Sequence, residues 1–423
     1  MTYREGLPDL FINMILCLLS AKLAFRTSIL SKQWARVWSS VPVLDFDEEE
    51  DQQPFADDRL RRRNFMNFLR RCIKCRDKEA PLEKLRLRMT YLGGDKSINK
   101  WLSFSFERNV KELDISFKRE NYGVRCKHYY LPWAVLSIAK SLTILKLENV
   151  RIKDNIEPIS LSCLRTMALK FVQLSNMAFS HLISGCPSLE VLSLASCSGW
   201  DVKLSSSTLK LLDIICSNIK IKVEAPKLEV FKLSGHGNHI LYMCNEHFDI
   251  ASCRTLKNLE FFKSIFADGW FEGLDSRFPV LEGLVLHHCR SWEPINVFSR
   301  SLQRLLYCDF GMTMSTFSMK APKLSEATII HEQRQYMWNE FPLQNLMGNF
   351  NSCEKMSLHV TDEKDLIFPV HKRNTCSPPL PHLRLLKVEI NAPASERFRD
   401  LEESLNWMAP SLKCLSIKHK EGD

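Results

Sequence analysis

No apolar run in these 423 residues is long enough to cross a bilayer. The longest, "LFINMILCLL" at residues 10 to 19, is about half of the ~20 residues a spanning helix needs. It is also broken by Asn13 and lacks a basic leader, since Glu5 and Asp9 stand beside Arg4, so it does not read as a secretion signal. There is no glycine-rich phosphate loop: "GHGNH" at 235 to 239 lacks both the third glycine and a preceding nucleotide-fold strand. No nucleophile with a neighbouring base and no metal-spaced cluster can be found. Charge of one sign is not dominant either: +9 is small for this length, and both signs are spread throughout. That excludes a concentrated electrostatic footprint for nucleic acid.

Cysteine is present, but not as a disulfide framework. The fifteen are odd in number, and Cys163, Cys186 and Cys414 sit within apolar periodic stretches, so free thiols in a reducing compartment are expected. The only CxxC pair, Cys72 and Cys75, lacks two further ligands at zinc spacing and reads as one helix face. His287, His288 and Cys289 are consecutive after a strand pattern. Adjacent strand residues point to opposite sides, so a turn with surface histidines is expected there rather than a ligand set. No cofactor or metal is expected.

What is present falls into two regions. Residues 1 to 46 read as a small helical bundle. Leu10, Ile15, Leu18 and Leu19 share a helical face after Pro8-Asp9, Thr27 or Ser28 can cap the next segment, and Pro42 stops the last. In "TSILSKQWARVW" (27 to 38), Leu30, Trp34, Val37 and Trp38 form an apolar face and Lys32 and Arg36 a wet one. Residues 47 to 80 read as an acidic linker followed by an amphipathic helix, with Phe65, Phe68, Leu69, Cys72 and Ile73 on one side and arginines on the other. The arginines of 59 to 71 are either a solvated face or a patch for phosphate or nuclear import.

From 81 to 423 a six-residue pattern keeps returning, with two apolar positions three apart and a third after one intervening residue. It runs from "LEKLRL" at Leu82, through "LTILKL" at Leu142 and "LEVLSL" at Leu189, to "LKCLSI" at Leu412, in fourteen copies 19 to 32 residues apart. That is leucine-rich-repeat spacing. The last two apolar residues alternate around one polar position, which is strand periodicity, and stacking such coils buries a face that no single coil can. Pro187, Pro226, Pro279, Pro322, Pro381 and Pro410 each stand two residues ahead of a copy, where the chain should turn into its strand. Cys197 and Cys289 follow their strands by three residues, placed to bond the turning backbone. In "KHYYLPWAVLS" (127 to 137), Tyr129, Tyr130 and Trp133 are core filling or an aromatic anchor for a partner. The fold class is thus α/β: a small helical domain, then a solenoid of parallel strands with helical or irregular convex connections.

In such a solenoid a partner usually meets the polar positions between the inward ones. Arg86, Asp114, Lys146, Asp213, Lys232 and Glu260 are the charged members of that row. Its mixed sign suits a protein or peptide better than a nucleic-acid backbone.

Taken together, the two regions resemble the plant F-box proteins with leucine-rich repeats. The resemblance is carried by "LPDLFINMILCLLSAKLAFRTSILSKQWARVWSSVPVLDFD" (7 to 47), "LPWAVLSIAKSLTILKLENV" (131 to 150), "SGCPSLEVLSLASC" (184 to 197) and "LPHLRLLKVEI" (380 to 390). Residues 378 to 423 are loosely similar to the C-terminal cap, or FBD region, of such proteins. The chain departs from the family at Ser20, where proline is usual, at Leu23, where a polar residue is, and at Phe11, where an acid is common. The resemblance implies a non-catalytic substrate receptor of a cullin-RING ubiquitin ligase, with an intracellular place in nucleus, cytoplasm or both. Its F-box would bind a Skp-family adaptor through Leu7, Pro8, Leu10, Ile15, Leu30, Trp34 and Trp38, and its solenoid would bind a protein target. A repeat scaffold acting without any ligase is the alternative.

Overall fold

Each six-residue copy becomes one parallel strand, and its local sequence explains how the strand begins and ends. The computed structural model describes residues 7 to 420 except 52–57, 92, 94, 119–127, 154–157, 198–200, 218–219, 244–247, 292–293, 310–316, 332–345 and 394–396. All six prolines named above open a two-residue turn just before a strand. The turns close with backbone bonds such as Leu189 N–H to Cys186 O at 3.1 Å, Leu228 to Ala225 at 3.0 Å and Leu324 to Ala321 at 3.0 Å. Proline occupies the second turn position, where its fixed φ is already correct.

Strand exits use a different device. Asn149, Phe171, Ser196, Lys263 and His288 each follow a strand directly and adopt φ between 51° and 56°. This left-handed conformation swings the chain off the sheet, at about 1 kcal/mol for a residue other than glycine. The turning backbone is held as expected: Cys197 Sγ donates to Leu169 O at 3.4 Å and Cys289 Sγ to Phe261 O at 3.3 Å.

The chain forms two compact units, Met1–Asp201 and Val202–Asp423. In the first, three helices, α1 (Asp9–Leu18), α2 (Ala21–Thr27) and α3 (Lys32–Ser39), precede the strand β1 (Val43–Asp47) and the helix α4 (Asp58–Lys74). The sheet runs β1, β2 (Lys84–Thr90), β3 (Glu112–Lys118), then Ile144–Glu148, Thr166–Lys170 and Val191–Ala195, all parallel. The sheet therefore starts earlier than the repeat at Leu82. "VPVLDF" from Val41 carries the same apolar spacing, and Val41, Leu44 and Phe46 are all buried.

The amphipathic helix expected after the acidic stretch is α4, with Phe65, Leu69 and Cys72 buried. Its basic run is split, because Arg62 turns inward to Glu48 at 3.9 Å while Arg63, Arg70 and Arg71 stay in solvent. Tyr129 and Trp133 are core residues, as the bulk of their rings favours, and Tyr130 faces out, where its hydroxyl accepts from Arg151 at 3.0 Å.

Among the described residues of the second unit, nine strands of one parallel sheet run from Leu211–Cys216 to Cys414–His419. Across from them, many connections are short parallel strands rather than helices, for example Val202–Ser205 beside Ile221–Glu224. Both strand-borne apolar positions are buried in every copy except the last. In Cys414–His419 they are half-exposed, because no described coil stacks beyond it. The cysteines at described positions are free thiols, Cys72 buried and Cys75 exposed. No described helix is long and apolar enough to cross a membrane.

Candidate functional site

The helical module is apolar on two sides. Ile12 and Leu16 of α1 fill its own core, while Leu7, Leu10, Phe11, Met14, Ile15 and Leu18 remain exposed. Spacing of three and four places the five in α1 on one helical stripe, and Leu7 lies just ahead of its N-cap. Leu18 is 86 % exposed and Leu10 68 %, values far outside those of a core face. Leu23, Ile29 and Leu30 add exposed apolar side chains from α2 and its exit.

Polar contacts fix the ends of this stripe. Pro8 stands at the N-cap of α1, and Asp9 in the first turn accepts from Gln33 Nε2 at 2.8 Å and pairs with Arg36 at 2.7 Å, both from α3. Gln33 Nε2 also donates to Leu7 O at 2.8 Å. The Gln33 hydrogen bond first, and the Arg36 charge with it, hold the Asp9 carboxyl below its ordinary value. Ser20 caps α2 by accepting from Leu23 N–H at 3.5 Å, so the helix keeps a defined start without a proline. Phe11 and Leu23, the other two departures from the family pattern, widen the exposed apolar surface.

Of the residues expected on the docking face, Leu7, Pro8, Leu10, Ile15 and Leu30 are exposed and Trp34 is half-exposed. Trp38 has to be corrected. It is 2 % exposed, with its ring edge-on to Phe25 at 4.9 Å; Phe25 in turn meets Phe68 of α4, which meets Phe46 of β1. An indole that closes this aromatic chain holds the module on its first strand and is not available to a partner. Met14 and Ile29 were not singled out in the sequence, and Leu18, Phe11 and Leu23 were noted there without being counted among the docking residues, although the all-round apolar character of α1 is a legible sign of a face needing cover.

The strand-borne array is in register as expected. In the first unit Asp45, Arg86, Asp114 and Lys146 are successive cross-strand partners, and in the second Asp213, Lys232 and Glu260 are. Arg86 pairs with Asp45 at 2.8 Å and with Asp114 at 3.7 Å, Lys146 reaches Glu112 at 3.5 Å, and Lys232 meets Glu260 at 2.9 Å. Opposite charges on neighbouring strands compensate one another, so this stretch presents a neutral ladder rather than a basic track. Beyond Glu260 the row becomes apolar, with half-exposed Val285 and Leu306 in register and Phe262 and Ile330 two residues further along their strands. Past these lies a cleft of about 460 Å³ lined by His331, His359, Glu389, Lys418 and His419. There His359 Nδ1 meets Glu389 at 3.0 Å, and His419 Nε2 meets Glu363 at 2.8 Å.

Comparison with known proteins agrees with both halves of this geometry. Residues 5–46 match the F-box domain, and residues 78–415 match the leucine-rich-repeat domain of the At1g61320/AtMIF1 type. Among curated relatives from Arabidopsis thaliana, F-box/FBD/LRR-repeat protein At5g53840 is 32 % identical over 238 residues, covering 54 % of this chain and 50 % of its own. FBD-associated F-box protein At5g56370 is 31 % identical over 240 residues (55 % and 53 %), and F-box/LRR-repeat protein At2g42730 is 31 % identical over 244 (54 % and 51 %). The matched stretch spans about half the length of each relative. With an apolar helical module at one end and parallel repeat strands through the remainder, the chain belongs to the F-box proteins that carry leucine-rich repeats of the At1g61320/AtMIF1 type.

Proposed function

We propose that this chain is a substrate receptor of an SCF-type cullin-RING ubiquitin ligase, docking a Skp-family adaptor through α1 to α3 and a protein target along the repeat strands. The observation that supports it most is the exposed stripe Leu7, Leu10, Phe11, Met14, Ile15 and Leu18. Burying each such side chain contributes roughly 1.5–3 kcal/mol, and a soluble surface does not retain six in one line without a partner to cover them. The receptor itself does no covalent chemistry. It brings a target close to a charged conjugating enzyme, which raises effective concentration. Free thiols throughout the described residues support an intracellular, reducing setting, in nucleus, cytoplasm or both.

The neutral ladder followed by Phe262, Val285, Leu306 and Ile330 is the part of the row best suited to a folded or peptide target, since apolar area there can be buried without stripping unpaired charge. The test is co-purification with a Skp-family adaptor. Leu10→Asp with Leu18→Asp abolishes capture while thermal unfolding stays unchanged, and Leu7→Ala with Pro8→Ala weakens it. Undiminished capture by both variants rejects the adaptor reading in favour of a repeat scaffold that works without a ligase.

A further inference from the structure

Three potential metal ligands converge where the sequence favoured a plain turn. His287 ends the strand Gly283–His287, and its register partner on the next strand is Cys308. Register partners on parallel strands point to the same side, so imidazole and thiol start as neighbours. His288 should point away. It adopts φ 54° instead, which takes it out of strand geometry and brings its ring to 4.2 Å from that of His287. His288 Nδ1 then lies 3.7 Å from Cys308 Sγ. One ligating atom from each of the three residues fits within 4.8 Å of the others.

Those distances can be compared with a known geometry. Zinc bonds of about 2.0–2.1 Å to imidazole nitrogen and about 2.3 Å to thiolate sulfur, at a tetrahedral angle, set nitrogen and sulfur roughly 3.6 Å apart. The His288–Cys308 edge already has that length. No edge exceeds 4.8 Å, so the set closes by at most about 1.5 Å, which side-chain torsions of a half-exposed histidine supply. The surroundings hold the ligands in place: the ring of Phe262 lies 5.5 Å from that of His287, and Cys289 Sγ donates to Phe261 O and to His287 O, pinning the backbone between the two histidines. Cys289 is buried and its Sγ is engaged with these two carbonyls, so it is not counted as a fourth ligand. Cys308 is buried and both histidines are half-exposed, so the set opens to solvent on the imidazole side.

We infer that His287, His288 and Cys308 form a three-ligand site for Zn²⁺ on the strand face, with the fourth position open to water or to a side chain of a docked partner. One thiolate and two imidazoles are a borderline-soft donor set, which favours zinc over calcium or magnesium. On binding, the Cys308 thiol gives its proton to solvent and its sulfur lone pair to the metal, and no oxidant or reductant is needed. The site lies two residues along from Val285 and Leu306, beside the apolar part of the row, and it does not depend on the adaptor reading.

The experiment uses the full chain, stripped by chelator and titrated with Zn²⁺ against a chromophoric competitor, and in parallel with Co²⁺. One equivalent of Zn²⁺ is expected to bind, and Co²⁺ to give a thiolate-to-metal charge-transfer band in the near ultraviolet. Cys308→Ser removes the band and weakens Zn²⁺ by about 100-fold, and His287→Ala weakens it by about 10- to 100-fold. Cys376→Ser, at an exposed thiol, changes neither. If Cys308→Ser does not fold, His287→Ala, at a half-exposed position, carries the same two readouts. Wild-type affinity no tighter than that of the His287 variant, or a cobalt band that survives loss of Cys308, overturns the site.

Discussion

At the scale of single residues, Trp34 and Trp38 show how far a helical stripe can be read. Spacing puts both on one face, but one helix alone does not say which neighbour covers which end of that face. Here Phe25 covers Trp38 and leaves Trp34 half-exposed. Trp38→Ala is therefore expected to destabilise the chain by about 3–5 kcal/mol, seen as a lower denaturant midpoint. Leu10→Ala leaves that midpoint unchanged, because its side chain is already in water. Asp9 provides a second check. Its carboxyl is held below the ordinary 3.8, by the Gln33 hydrogen bond first and by Arg36. A lowered carboxylate stabilises the fold above its unfolded pKa, and that contribution disappears as pH falls through the folded value. Carbon-detected NMR titration should place the Asp9 midpoint below 3.8, and Gln33→Ala should move it upward.

Among elements, α4 was legible as amphipathic, and its apolar stripe is the buried one. Its arginines were not separable by sequence, because the side that meets Glu48 depends on how β1 and the short turn at Glu48–Asp51 lie against it. Glu48 and Arg62 are both nearly excluded from solvent, and Glu48 Oε2 also accepts from Thr90 N–H at 2.6 Å. Glu48→Gln keeps an acceptor for that amide and removes the charge, stranding the Arg62 guanidinium. The expected loss is about 3 kcal/mol in chemical denaturation, and Glu48→Gln with Arg62→Met recovers most of it. The first strand was hidden for a related reason. "VPVLDF" has the repeat spacing, but the 41 residues from Val41 to Leu82 exceed the interval between any later copies, so it read as the end of the helical module. Pairing with β2 assigns it to the sheet.

For the molecule as a whole, charge and apolar surface belong to different tasks. The exposed stripe of α1 carries no cation, and the array charges are compensated across strands. Affinity for the proposed adaptor should therefore change by less than about threefold between low and moderate salt, measured by titration calorimetry. A phosphate-binding role for the arginines of α4 would instead show as a steep loss of nucleic-acid affinity with salt.

The sequence by itself determined the fourteen repeat strands, their inward residues, the proline turns ahead of six of them and the two-part organisation, because alternation and turn chemistry act over a few neighbouring residues. Only the tertiary structure decided which apolar side of α1 stays uncovered, that Trp38 faces Phe25, that array charges neutralise their neighbours, and that His287, His288 and Cys308 meet. The first two depend on how α1 to α3 pack on one another and on α4, and the last two on register between coils about 20 or more residues apart and on one left-handed residue, His288, which no short-range pattern specifies.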